Sequence, residues 1–191
     1  MSTVTVGYNE SYFPYDYYAD DTFKDVLEAW ASSGIPGTHP TNTGGFFTGG
    51  VDYGNLYGDT YAFTTGNGYA FSVQGNLTYD FDLQTYQGTH TVYGTVNSIS
   101  FGGGLTGNGT VNNPFLTITF DTPLTSELSE GFSGDVHEVV YGLMNANVSA
   151  LLAVLESGYG VDVDVDTIED LGTPFASLVG VAEAEDYLLA A

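Results

Sequence analysis

From Tyr69 to Leu83 the chain alternates two kinds of side chain, and this stretch constrains the fold more than any other. Tyr69, Phe71, Val73, Leu77, Tyr79, Phe81 and Leu83 fall on one face, with Gly75 interrupting, while Ser72, Gln74, Asn76, Thr78, Asp80 and Asp82 fall on the other. Successive side chains of an extended chain point to opposite faces, so one side here is apolar and the other polar. An antiparallel sheet with one covered face has this pattern; strands of a parallel sheet, buried on both sides, read as continuous apolar runs. From Phe46 to about Phe120, Gly-rich turns separate further runs of Tyr, Phe, Thr and Val, with strands expected near 89–101 and 115–120 and a short one over 3–8.

The covered face needs a cover, and the ends of the chain supply it. Asp20, Asp21 and Thr22 can cap a helix running to about Ser33, with Phe23, Val26, Leu27 and Trp30 on one stripe. Residues 134–158 switch to helical period: Val136, Val139, Val140, Leu143 and Met144 form a stripe, Asn145-Ala-Asn147 breaks it, and Val148 to Glu156 makes a second helix. Val161, Val163 and Val165 alternate with Asp162, Asp164 and Asp166, as in an edge strand. Thr167 can cap a last helix, interrupted by Pro174. The segment Ile35 to Gly45 holds Pro36, Pro40 and three Gly and reads as a loop with His39 in its middle. Helix, strands, then helices is the order of an α+β fold with helices on one face of an antiparallel sheet. A chain of 191 residues suits one domain, placed over 1–181, with a tail over 182–191.

Charge and cysteine content exclude whole classes of function. The chain has 24 acidic residues against one basic one, Lys24, for a net charge of −23. Nucleic-acid backbones and anionic membranes are recognised by Lys and Arg, so neither is an expected partner. Repulsion of this size favours solubility and a monomer. Without cysteine there are no disulfides, thiolate metal sites or cysteine nucleophiles. The N-terminus has no basic, apolar leader of the secretory type. With one Lys, no Arg and no Gly-x-Ser-x-Gly elbow, the usual catalytic apparatus is sparse, and an enzyme is not expected. Asp162-x-Asp164-x-Asp166 lacks the Gly and the Glu of a calcium loop and reads as a solvated edge.

Three histidines remain: His39, His90 and His137. A lone histidine is more often a satisfied or surface residue than a ligand. On a helix, however, His137, Tyr141 and Met144 share one face beside the aliphatic stripe, a strip suited to a planar aromatic ligand or, more plainly, to the margin of a core. Gly75-Asn-Leu-Thr-Tyr79 and Thr89-His-Thr-Val-Tyr-Gly94 place Tyr79 and His90 eleven residues apart on adjoining strand ends. Tyr is a known axial ligand of haem iron, and a histidine accepting the phenol's hydrogen bond favours the phenolate. Tyr79 is equally the next inward position of an alternating strand.

Gly75-Asn-Leu-Thr-Tyr79, Thr89-His-Thr-Val-Tyr-Gly94, Ser98-Ile-Ser-Phe-Gly102 and Val136-His-Glu-Val-Val-Tyr-Gly-Leu-Met144 together resemble the HasA-type haemophores, secreted bacterial haem carriers. The likeness extends to the helix with Trp30, the loop with His39 and the final Leu188-Leu-Ala-Ala191. It implies a curved antiparallel sheet backed by helices, and a cargo of ferric haem b. By resemblance Tyr79 is one iron ligand, His39 the second, and His90 the hydrogen-bond partner of Tyr79. Val136–Met144 then supplies a wall, with Tyr141, Met144 and His137 as contacts. It further implies secretion to the extracellular space, with 182–191 as a type I secretion signal. Host haemoproteins are the implied donors, and an outer-membrane receptor the recipient. The gap between Tyr79 and His90, filled by Gln84-Thr-Tyr-Gln-Gly88, is a few residues longer than the family's usual one, so Tyr86 is the alternative ligand. The alternative function is a secreted β-rich structural or adhesive protein without haem; a calcium-dependent extracellular enzyme ranks behind both.

Overall fold

The computed structural model describes residues 2–14, 16–32, 45–52, 55–64, 69–82 and 84–175. In chain order the strands are β1 (Val4–Tyr8), β2 (Gly50–Asp52), β3 (Asn55–Thr64), β4 (Ala70–Asp82), β5 (Gln87–Gly102), β6 (Leu116–Ser126) and β7 (Gly172–Pro174). The helices are α1 (Phe23–Ser32), α2 (Asp135–Met144), α3 (Ser149–Tyr159) and the one-turn α4 (Ile168–Leu171). A 3-10 segment, Leu128–Ser133, joins β6 to α2. The strands form one sheet in the order β2–β3–β4–β5–β6–β1–β7.

All pairings are antiparallel except that of β7, which runs parallel to β1. The α+β class expected from the sequence is what forms, with one parallel edge added to the antiparallel sheet. Pro174 ends that edge strand, where a residue with no amide hydrogen leaves no ladder bond unmade.

The inward face of β4 and β5 carries Phe71, Val73, Leu77, Val96, Ile99 and Phe101, all sealed from solvent. Trp30 of α1 packs edge-on against Phe71 (6.1 Å) and Phe101 (4.9 Å). Thr22 caps α1: its hydroxyl accepts from the Asp25 amide at 3.2 Å and donates to the Asp25 carboxylate at 2.8 Å. Val136, Val139, Val140 and Leu143 bury the stripe of α2 as its spacing predicts. The break at Asn145 to Asn147 is a tight reversal. Ala146 has φ +54°, and the Asn147 side chain accepts from the Ser149 amide at 2.9 Å to start α3.

Residues 161–166 correct the sequence reading. They form a turn, not an edge strand: Val165 and Asp166 donate their amides to the Asp162 carbonyl, and the Asp166 carboxylate accepts the Asp162 amide at 2.8 Å. Val161 and Val163 are buried, whereas Val165 is exposed. Carboxylates so close to their own backbone satisfy it locally, which competes with strand pairing. Thr167 caps as expected, in a reciprocal box with Asp170, but α4 stops at Leu171 and the chain enters β7 before reaching Pro174.

The sheet is bent by irregular pairing. Asp80 to Asp82 of β4 faces Gln87 to Thr91 of β5, so β5 holds two residues more than its partner there. A second bulge places Asn97 opposite the Gln74–Gly75 step, and Gly75 is required at it, since a Cβ there would lie 1.9 Å from the Thr95 carbonyl oxygen. Such bulges bend a strand and re-aim its side chains.

Candidate functional site

The bulge at the start of β5 sets up the site. His90 lies in it with φ +59°, in the left-handed region that a residue with a Cβ seldom occupies. This backbone turns the imidazole across the strand pair, where Nδ1 lies 2.9 Å from the Tyr79 phenol oxygen. Phe81 stacks at a tilt on the His90 ring, with centroids 4.6 Å apart. Tyr86, the alternative partner, is 74% exposed and contacts Phe81 instead. The structure therefore pairs Tyr79, not Tyr86, with His90.

Tyr79 and His90 open onto a cleft of about 990 Å³. That is at the upper end of the roughly 300–1,000 Å³ common for small-molecule sites. β3, β4 and β5 contribute Tyr61, Tyr79, His90 and Val92; α2 and the segment before it contribute Phe132, His137, Tyr141 and Met144. Of the residues singled out from the sequence, Tyr79, His90, His137, Tyr141 and Met144 meet in this cleft. His39 lies outside the described residues, as does the tail 182–191.

Burial pushes the Tyr79 phenol above its ordinary pKa, so without a nearby cation it keeps its proton. The Tyr61 phenol is held higher still, by burial first and the neighbouring Tyr79 second. It donates to the Met144 sulfur at 2.8 Å, which fixes the thioether in the cleft wall.

His137 is a wall with a fixed protonation state. The Val92 amide donates to its Nδ1 at 3.2 Å. An amide can only donate, so Nδ1 carries no proton and the ring is the neutral Nε2–H tautomer. The bond has a topological cause: pairing of β5 with β6 begins at Gly94, and Val92 lies past its end. Burial holds the His137 pKa below its usual value, in keeping with a neutral ring. Tyr141 stacks on it almost parallel (5.6 Å, 11°) and Phe132 leans against it at a tilt (5.0 Å). Tyr141 is 48% and Phe132 63% exposed, giving the cleft a partly open aromatic rim.

Sequence reasoning missed Tyr61, Val92 and Phe132. Tyr61 comes from a strand that the spacing arguments never linked to α2. Phe132, an aromatic between Gly131 and Ser133 in an acidic segment, was the one signal open to notice. Among the described residues there is no group of three or more His, Cys, Asp or Glu placed to hold a metal ion.

The model of the family described as heme-binding protein A (HasA) matches residues 1–191. The hemophore HasA of Serratia marcescens is 34% identical over 204 residues, spanning 98% of each chain. The holo structure of the hemophore HasA from Yersinia pestis superimposes with a TM-score of 0.69 at 24% identity, covering 91% of this chain and 99% of that one. A hexagonal-form apo structure of the same Yersinia protein gives the same TM-score, 0.69, and coverage.

Proposed function

The chain belongs to the haem-binding protein A (HasA) family, and we propose that it is an extracellular haem carrier that holds ferric haem b through the Tyr79 oxygen. The observation that carries this reading is the 2.9 Å pairing of Tyr79 Oη with His90 Nδ1 at the edge of an aromatic cleft. Burial favours the neutral phenol, and a ferric ion supplies the charge that reverses the preference. His90 is the acceptor placed to receive the phenol's hydrogen bond as the oxygen gains negative charge. An oxygen ligand bound this way is given up by returning a proton, which suits a protein that must surrender its cargo.

The rest of the cleft fits a flat aromatic ring. His137 and Tyr141 are stacked against each other, Met144 is fixed by Tyr61, and Val92 is apolar. By resemblance, His39 is the second iron ligand, host haemoproteins are donors, an outer-membrane receptor is the recipient, and 182–191 is a type I secretion signal.

A hemin titration followed by absorbance tests the reading. Saturation at one haem per chain is expected, with a ferric tyrosinate-type spectrum that Tyr79→Phe abolishes and Tyr86→Phe leaves unchanged. The opposite pattern would move the ligand to Tyr86. No colour on mixing with hemin would return the protein to the structural or adhesive class.

A further inference from the structure

Haem carries two carboxylates, and a protein that recognises carboxylates does so with Arg or Lys. This chain has one such residue in its whole length, Lys24, set against 24 acidic ones. Lys24 lies on α1, bonded to Asp164 at 2.7 Å, and is not among the residues lining the cleft. Among the described residues, the cleft's own ionisable side chains offer no substitute. His137 is neutral with Nδ1 taken by Val92, and His90 is engaged with Tyr79. Glu138, on the wall, carries the same sign as the ligand's carboxylates.

We propose that no lysine or arginine of this chain meets the ligand's carboxylates, and that the chain captures haem against its own electrostatic field, so that ionic strength accelerates capture. The proposal rests on the haem-carrier reading and adds the ligand's charge to it. Ferric haem with both carboxylates ionised is a net anion, and it approaches a chain of net charge −23. The range of that repulsion shrinks from about 30 Å at 10 mM salt to about 8 Å at 150 mM. Fields of this kind change association rates by roughly 10- to 1,000-fold, and the lower figure is the appropriate one for a ligand of small net charge. A cationic cleft would give the opposite sign, with salt slowing capture.

The test is stopped-flow binding of hemin and of its dimethyl ester to the full chain, in a non-ionic detergent that keeps both monomeric, across this salt range. The hemin rate is expected to rise about 10-fold with salt. The ester, which lacks the anionic groups, is expected to bind with a rate that does not rise. Glu138→Lys is expected to raise the low-salt rate of hemin more than that of the ester. A hemin rate that is flat or falls with salt overturns the proposal, as does an ester that fails to bind while hemin binds. If neither binds, the haem-carrier reading itself fails, an outcome distinct from both.

Discussion

Replacing His90 separates the two things that residue does, because glycine and alanine remove the imidazole equally but treat the backbone differently. At φ +59° a residue with a Cβ is strained, at a cost of roughly 1–2 kcal/mol. His90→Ala keeps that strain and loses the hydrogen bond to Tyr79, worth about 0.5 kcal/mol at an exposed position. His90→Gly loses the same bond but relieves the strain, less the roughly 0.5–1 kcal/mol that glycine's freedom adds to the unfolded chain. The glycine variant is therefore expected to be more stable than the alanine variant by about 0.5–1 kcal/mol, or roughly 1–4 °C in Tm for a chain of this size. Scanning calorimetry of the haem-free proteins measures this. Haem spectra should rank the variants differently: both should lose the tyrosinate band's wild-type position to the same extent. Equal or reversed Tm values would refute the strained bulge. A glycine variant with the native spectrum would refute the role given to the imidazole.

His137→Phe keeps the ring stack but leaves the Val92 amide without its acceptor; a loss of about 1–3 kcal/mol is expected, seen as a Tm drop of several degrees. The same residue predicts a pH dependence. Its pKa is depressed in the fold, so the unfolded chain binds the extra proton. Stability should then fall as pH drops through about 6.5 and below, and His137→Phe should flatten that part of a Tm-against-pH series. Because the net charge is −23, adding salt should raise the Tm of the haem-free protein, as measured by calorimetry; a Tm that falls with salt would mean that the acidic groups do not repel one another in the fold. Met144→Leu removes the acceptor of the Tyr61 hydroxyl and should cost about 1 kcal/mol with haem affinity reduced, read by denaturant titration and by the hemin isotherm.

Where one local rule dominated, the sequence was readable. The alternation around Phe71 and Leu77 placed β4 and its covered face, Thr22 marked the start of α1, and Asn145 to Asn147 marked the turn before α3. Residues 161–166 were misread because period-two alternation of Val and Asp is shared by an edge strand and by a carboxylate-stabilised turn. The Asp166 carboxylate on the Asp162 amide decided between them. In the cleft, the residues from the α2 strip and the Tyr79–His90 pair were legible as spacing. Tyr61 was not, since its bond to Met144 joins positions 83 residues apart and depends on how the sheet bends under α2. The role of His137 was half legible. Its place on the strip followed from helical period, but its acceptor role exists only because pairing of β5 with β6 begins at Gly94.

The long gap between Tyr79 and His90 is accommodated by parity. Side chains along a strand alternate, so one extra residue would turn the side chains between it and the next bulge, at Asn97, to the wrong face, and two restore the original alternation. The structure absorbs two, between Gln87 and Thr91, opposite Asp80 to Asp82. Beyond the bulge, Val92 pairs with Tyr79 and Gly94 with Leu77, and Val92 and Val96 face the core as far as the one-residue bulge at Asn97, past which Ile99 and Phe101 take over the inward face. The residues added are thus confined to a loop and a bulge, where Tyr86 and His90 both take positive φ. Tyr86 spends its conformation on the exposed reversal, and His90 spends its own on reaching back to Tyr79. A one-residue deletion within Gln84–Gly88 should therefore disrupt the pair more than a two-residue deletion, a ranking opposite to that expected if the segment were a slack linker.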